Sequence, residues 1–222
     1  WGDVLIPHGH PVEVPAAIEA AMTSILDAGA APLAIGGDHF TTYPSIKAHA
    51  KRLGRPVALV HFDAHSDLWD GGGPDWIDHG TMFRDGIAGG EIDAARSIQV
   101  GIRTTNDDTM GVETYDAIKV HETGIAATIA AIRARVGDAP VYLTFDIDCL
   151  DPAFAPGTGT PVCGGLASWQ ALGILRGLGG LNLVGMDVVE VAPAYDVGEI
   201  TALAGATVAL QLLCLYAERK PA

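Results

Sequence analysis

Val57-Ala58-Leu59-Val60-His61-Phe62-Asp63-Ala64-His65-Ser66-Asp67 is the stretch that decides how the chain is to be read. It opens on a short unbroken apolar run, the pattern of a strand in a parallel sheet covered on both faces. It closes on an alternation, Asp63, His65 and Asp67, whose side chains leave one face of an extended chain. One imidazole between two carboxylates is half of a site for a hard divalent metal, Mn²⁺ or its neighbours. A polar strand end running into a solvated turn would look the same over these few residues. The remainder of the chain decides between the two.

Outward from that run, strand and helix patterns alternate with no internal repeat or low-complexity linker. The spacing predicts a strand over 1–6, a helix over 14–28 and a short strand over 32–35 that runs into Gly36-Gly37-Asp38-His39. A helix over 43–53 precedes the strand at 57–63, and a loop rich in Gly, Pro and Asp follows over 68–80. Beyond it come a helix at 82–87, a strand at 97–102, a helix at 125–136 and a strand at 140–145. A loop over 151–165 leads to a helix through Leu178 with Ser168 as its N-cap, then a strand at 183–189 and a last helix at 200–218. Such a rhythm implies right-handed βαβ units: an α/β fold of three layers, α/β/α, around a mostly parallel sheet. Residues 1–222 read as one domain, long enough for a substantial core.

The polar clusters fall where strands end. His39 follows one strand, and Asp63, His65 and Asp67 follow another. Asp146 and Asp148 follow a third, and Glu190 ends the fourth. Ligands of open α/β sheets bind at the carboxyl ends of strands. Carboxylates delivered there together repel one another unless cations stand between them. Two imidazoles and four aspartates suffice for a two-metal site.

The formal charge of −14 argues against nucleic acid, since few cations are available to neutralise phosphates, and favours a small cationic partner. Cys149, Cys163 and Cys214 are odd in number and lack a CxxC pair, which suits a reducing, cytoplasmic setting. The uncharged run 200–217 is nearly long enough to span a membrane, but Thr201, Gly205, Thr207 and Gln211 interrupt it, and a buried C-terminal helix is expected.

As a set, Gly36-Gly37-Asp38-His39, Asp63-Ala64-His65-Ser66-Asp67 and Asp146-Ile147-Asp148-Cys149-Leu150-Asp151-Pro152 resemble the metal-binding signatures of the ureohydrolases, the arginase and agmatinase family. Asp78-His79-Gly80-Thr81-Met82-Phe83, the run 155–161 and the run 185–196 resemble the agmatinase branch. The resemblance implies an arginase-like sheet, two Mn²⁺ ions per subunit, and hydrolysis of a guanidino group to urea and an amine, with agmatine giving putrescine. By position, one ion takes His39, Asp63, Asp67 and Asp146, and the other takes Asp63, His65, Asp146 and Asp148, so that Asp63 and Asp146 bridge. His79 matches a proton-shuttling histidine, Glu190 the carboxylate that receives the guanidinium, and Thr160 a threonine lining its pocket. Assembly into a homo-oligomer, a trimer or hexamer, is implied as well. The family also carries a segment ahead of the region matching Trp1, so the 222 residues are expected to be the later part of a longer protein.

Other polar residues read as structural. Asp38 and Asp151 suit turns or supporting positions, and Asp187 suits a structural one. His61 is expected to be a packed histidine or a partner of a ligand, and Cys149 a packed thiol. His8, His10, His49 and His121 are expected at the surface. Trp69 either lines the substrate pocket or anchors its loop. Two other functions stay open: a guanidino-acid hydrolase such as a guanidinobutyrase, and a non-catalytic metal-binding or assembly protein. Asp70, Asp75 and Asp78, with no Lys or Arg over 68–78, favour a substrate with a cationic tail, although Arg84 and Arg103 could reach in.

Overall fold

Six parallel strands, β1 (Leu33–Ile35), β2 (Ala58–Phe62), β3 (Ile98–Val100), β4 (Glu113–Tyr115), β5 (Val141–Asp146) and β6 (Leu183–Val189), form one sheet in the order β1-β6-β5-β2-β3-β4. The computed structural model describes residues 1–71 and 76–219. Every residue of β2 and β5 is buried, as the unbroken apolar runs require of strands covered on both sides. Alternation sorts their side chains between the two faces. Val60, Phe62, Leu143 and Phe145 join one core with α4 (Ala117–Val136), α5 (Ser168–Arg176) and α6 (Ile200–Ala217). Leu59 and Tyr142 join the other with α2 (Thr42–Leu53) and α3 (Met82–Ala88), and α1 (Val14–Asp27) packs outside α2. The result is the expected three-layer α/β/α arrangement. Burial of side chains such as Phe62, Leu143 and Ile132 is worth roughly 1.5–3 kcal/mol each. That apolar frame holds a polar row on the α2–α3 face, where Gln99 (β3), His61 (β2), Thr144 (β5) and Asp187 (β6) stand side by side in register.

Several elements differ from the sequence expectation. Residues 1–6 form no strand. Gly2 turns the chain at φ 95° and Pro7 closes the run, while Val4 and Ile6 pack against the α1–α2 cluster. β4 escaped the pattern because Glu113-Thr114-Tyr115 is short and half polar. α4 starts earlier than expected, at Ala117, where Asp116 accepts from the Lys119 amide at 2.7 Å. Gly124, at φ 81°, ψ 176°, breaks it, and the apolar periodicity is clear only beyond that point. Ser168 is the first residue of α5 rather than its cap; Gln170 Oε1 instead accepts from the Ala167 amide at 3.0 Å. α6 is half-buried rather than buried: Thr201, Gly205, Val208, Leu212 and Leu215 face inward, while Leu203 and Leu210 are exposed. His49 is buried, not at the surface, with Nδ1 on the Ser45 carbonyl at 2.8 Å and its ring against Tyr142. His8, His10 and His121 are exposed as expected.

Candidate metal centre

The carboxyl ends of four strands converge. After β1, Gly36 (φ 128°) and Gly37 (φ 58°) turn the chain into the His39–Thr41 turn that opens α2. A Cβ on Gly37 would stand 2.8 Å from Thr41, so both conformation and space call for glycine there. β2 delivers Asp63, with Asp67 held beyond it in a left-handed conformation, φ 50°. β5 delivers Asp146, whose Oδ1 accepts from the Asp148 amide at 2.8 Å and so turns Asp148 inward. β6 ends at Glu190, also left-handed at φ 63°, its amide donating to Gly37 O at 3.0 Å. Left-handed backbone at two non-glycine residues is strain of the kind that gathers at functional sites.

Two groups of donor atoms result, and Asp63 belongs to both. The first takes in His39, His61, Asp63 and Asp67; His39 Nδ1 lies 2.9 Å from Asp63 Oδ2 and 3.0 Å from Asp67 Oδ2, with Asp146 Oδ2, outside the group, 3.2 Å away. In the second, His65 Nδ1 lies 3.3 Å from Asp63 Oδ1 and 3.1 Å from Asp148 Oδ2. His39, Asp63, Asp67, Asp146 and Asp148 are all buried, whereas His65 is partly open. His39 Nε2 pairs with Thr144 Oγ1 at 2.8 Å, while its buried Nδ1 makes no well-directed hydrogen bond among the described residues. Nδ1 faces three carboxylates; burial opposes charge on this ring, but the close carboxylates of Asp146, Asp63 and Asp67 outweigh it and raise the imidazole well above its ordinary value, so Nδ1 draws in a proton unless a cation takes its place. The donor set therefore fits a binuclear centre of hard divalent ions.

The titration tendencies describe the same demand for positive charge. Burial and the charge of Asp63 push Asp67 up to about 6. Burial, then Asp63 and Asp148, push Asp146 well above the usual carboxylate range. Burial opposes charge on His65, but hydrogen bonds to Asp148 and Asp63 outweigh it and raise that imidazole to about 10. Asp63 alone is held low: burial works against its charge, and the surrounding His61, His39 and His65 overcome it. Divalent cations would replace the protons that this cluster otherwise draws in.

A cavity of about 190 Å³ opens above the cluster, lined by His39, His65, Asp67, Trp69, His79, Gly80, Asp146, Thr160 and Glu190. An apolar hollow of similar size, about 200 Å³, lies between α5 and α6, but none of its lining residues can titrate. Chemistry belongs to the acidic cavity. There His79 Nδ1 meets Glu190 Oε1 at 2.9 Å, and the same oxygen accepts from the His39 amide at 2.9 Å. The hydrogen bond to Glu190 raises His79 to about 9. Burial opposes the Glu190 charge, but His79 and the His39 amide hold it below its ordinary value. Thr160 Oγ1 donates to Asp148 Oδ2 at 3.1 Å. Trp69 both lines the cavity and anchors its loop: Nε1 donates to Thr105 O at 3.2 Å, and its amide pairs with Gly80 O at 3.1 Å.

Neither candidate arginine enters the cavity. Arg103 spends its guanidinium on the carbonyls of Gly101, Asp148, Cys149, Leu150 and Val162, clamping the segment that carries Asp148. Arg84 binds Asp108 at 2.9 Å and approaches Asp70 at 3.8 Å. Of the loop aspartates, Asp70 thus turns to Arg84, and Asp78 Oδ1 accepts from the Gly80 amide at 2.8 Å. Asp75 lies outside the described residues. Asp151 is a turn residue, accepting from the amides of Ala153, Gly164 and Gly165. Asp187 is buried and accepts from Thr42 at 2.8 Å and Tyr142 at 2.9 Å. Cys149 is packed, and burial raises its thiol well above the ordinary range. The sequence reading passed over Thr144 and Gln99. A polar residue set singly within an apolar strand was the available signal for each.

Residues 1–214 match the arginase family. Over 223 aligned positions the chain is 56% identical to an agmatinase of Chromobacterium violaceum, covering 100% of this chain and 69% of that protein. An agmatinase of Escherichia coli is 53% identical over 219 positions, covering 99% of this chain and 71% of the relative. Among solved structures, a hypothetical agmatinase from Burkholderia thailandensis superposes with a TM-score of 0.96 at 56% identity, covering 97% of this chain and 69% of that one.

Proposed function

The chain belongs to the arginase family, and from that premise we propose that it hydrolyses agmatine to urea and putrescine at a pair of Mn²⁺ ions. It is a hydrolase of the guanidino-cleaving class, as its agmatinase relatives indicate. The observation that carries the substrate assignment is the lack of any cation to receive a carboxylate tail: no Lys or Arg lines the cavity among the described residues, and Glu190 is the lining carboxylate that the ions leave unmatched. A guanidino acid would bring a carboxylate there, and Arg84 and Arg103 are both committed elsewhere. The complete set of ligand residues likewise disfavours a non-catalytic protein.

In this reading His39, Asp63, Asp67 and Asp146 hold one ion, and Asp63, His65, Asp146 and Asp148 the other. When bound, the two ions act as Lewis acids that make water acidic enough to attack near neutral pH. Glu190 receives the guanidinium; its Oε1 is taken by His39 and His79, and Oε2 faces Gly159. Attack of water oxygen on the guanidino carbon forms one C–O bond, and loss of the amine breaks one C–N bond. With Nδ1 on Glu190 and no partner at Nε2 among the described residues, His79 can give a proton from Nε2 to the departing nitrogen and regain one from the attacking water. Thr160 bounds the cavity from the loop after β5 and steadies Asp148 through its hydroxyl. A cytoplasmic homo-oligomer, trimeric or hexameric, completes the proposal.

The test is urea release from agmatine, 4-guanidinobutyrate and arginine by metal-stripped protein resupplied with Mn²⁺. Agmatine should be turned over well ahead of the other two. Preference for 4-guanidinobutyrate would refute the substrate assignment, and release independent of metal would refute the centre.

A further inference from the structure

Beneath the metal-holding run, His61 and Gln99 form a buried pair that the reaction as written does not use. They are cross-strand neighbours in β2 and β3, 0% and 1% exposed. His61 Nε2 lies 2.6 Å from Asp63 Oδ2. Gln99 Nε2 lies 3.1 Å from His61 Nδ1 and 2.5 Å from the Ser66 carbonyl. The Ser66 carbonyl can only accept, so the amide nitrogen of Gln99, not its oxygen, must face this way. That nitrogen has a second proton to give, and His61 Nδ1 receives it. The tautomer follows: Nδ1 accepts, Nε2 carries the hydrogen, and Nε2 donates to Asp63. Phe83 meets the ring edge-on, with centroids 4.8 Å apart, and leaves it little room to flip. A single amide thus fixes both the ring behind Asp63 and the backbone between His65 and Asp67.

We propose that His61 and Gln99 are positioning residues that hold Asp63 and the backbone of 63–67 in the geometry that binds both ions. The inference rests on the reading of Asp63 as a metal ligand given above. A neutral imidazole donating to a carboxylate orients it and satisfies a lone pair without cancelling its charge, so Asp63 stays available as an anion. Gln99 acts one step further back: among the described residues its hydrogen bonds go to His61 and the Ser66 carbonyl, not to a proposed ligand's side chain.

The test titrates Mn²⁺ calorimetrically into metal-stripped wild type, His61→Met, His61→Gln and Gln99→Met, beside melting of each metal-free protein. Methionine fills similar volume without a donor, while glutamine can place an amide N–H near the position of His61 Nε2. Mn²⁺ affinity should fall by roughly 10–100-fold in His61→Met and Gln99→Met, and His61→Gln should recover most of it. With Mn²⁺ saturating, kcat for agmatine should drop while KM holds, because Glu190 is untouched. A folded His61→Met with unchanged affinity would overturn the proposal. So would equal losses in the Gln and Met variants, since packing alone would then account for them. If His61→Met does not fold, Gln99→Met decides by the same criterion. Absence of Mn²⁺ binding by wild type would instead refute the reading of the centre itself, and the positioning role with it.

Discussion

Asp63 Oδ2 accepts from His61 and faces His39, while Oδ1 faces His65, so one carboxylate stands in both donor groups. Asp63→Asn keeps the shape but removes the shared charge, and both ions should be lost together. Elemental analysis after dialysis should find neither retained at stoichiometry; one ion kept in full would show that Asp63 serves only one site. His39→Ala and His65→Ala should each weaken a different ion. His79 belongs to a separate equilibrium. Its pKa, raised to about 9 by Glu190, means that the pair's contribution to stability is complete below the ordinary histidine value of 6.5 and fades as pH rises through about 9. At the acid end the contribution is lost as pH falls through the depressed pKa of Glu190. A histidine resonance titrating near 9 should move back toward 6.5 in Glu190→Gln. His79→Asn should cut turnover by roughly 10²–10⁴-fold with metal content unchanged, as loss of a general acid does; an unaltered kcat would remove it from the reaction.

At the level of elements, the centre depends on how tightly β3 approaches the start of the ligand run. Gly101 follows β3 at φ 98°, and a Cβ there would lie 2.9 Å from Cys149 Sγ and 3.1 Å from Asp63 O. Gly101→Ala combines left-handed strain with a clash against the backbone of Asp63. It should lower unfolding free energy by roughly 1–3 kcal/mol from strain alone, and Mn²⁺ affinity should fall with it. Chemical denaturation beside metal titration checks both, and a variant of wild-type stability would contradict the contact. The same elements explain what the sequence disclosed. β2 and β5 were legible because burial on both faces demands unbroken apolar runs, and the candidate ligands stood out as polar residues at their ends. β4 was not legible, since three half-polar residues carry no period. Residues 1–6 misled because Val4 and Ile6 are apolar for packing against α1 and α2, not for pairing in a sheet. Gln99 and Thr144 showed locally only as single polar residues in apolar strands; what each one faces depends on register across strands, which no local pattern encodes.

Across the whole molecule, the formal charge of −14 and an acidic cavity at the strand ends should act together on a dication. Agmatine carries a guanidinium and an ammonium, whereas 4-guanidinobutyrate is a zwitterion with no net charge. A long-range negative potential raises encounter with the first and does little for the second. Salt screens that potential over a Debye length of about 10 Å at 0.1 M, which spares contacts inside the cavity and removes the field outside it. Raising ionic strength from about 0.01 to 0.3 M should therefore lower kcat/KM for agmatine several-fold, mostly through KM, and leave kcat nearly constant. Any turnover of 4-guanidinobutyrate should respond weakly over the same range. Buffer anions could mimic the trend by competing for the ions, so the series should be run in both chloride and a poorly coordinating anion at fixed free Mn²⁺. If kcat/KM for agmatine is flat in both salts, recognition of the cation is confined to Glu190 and its neighbours, and the overall charge has no part in catalysis.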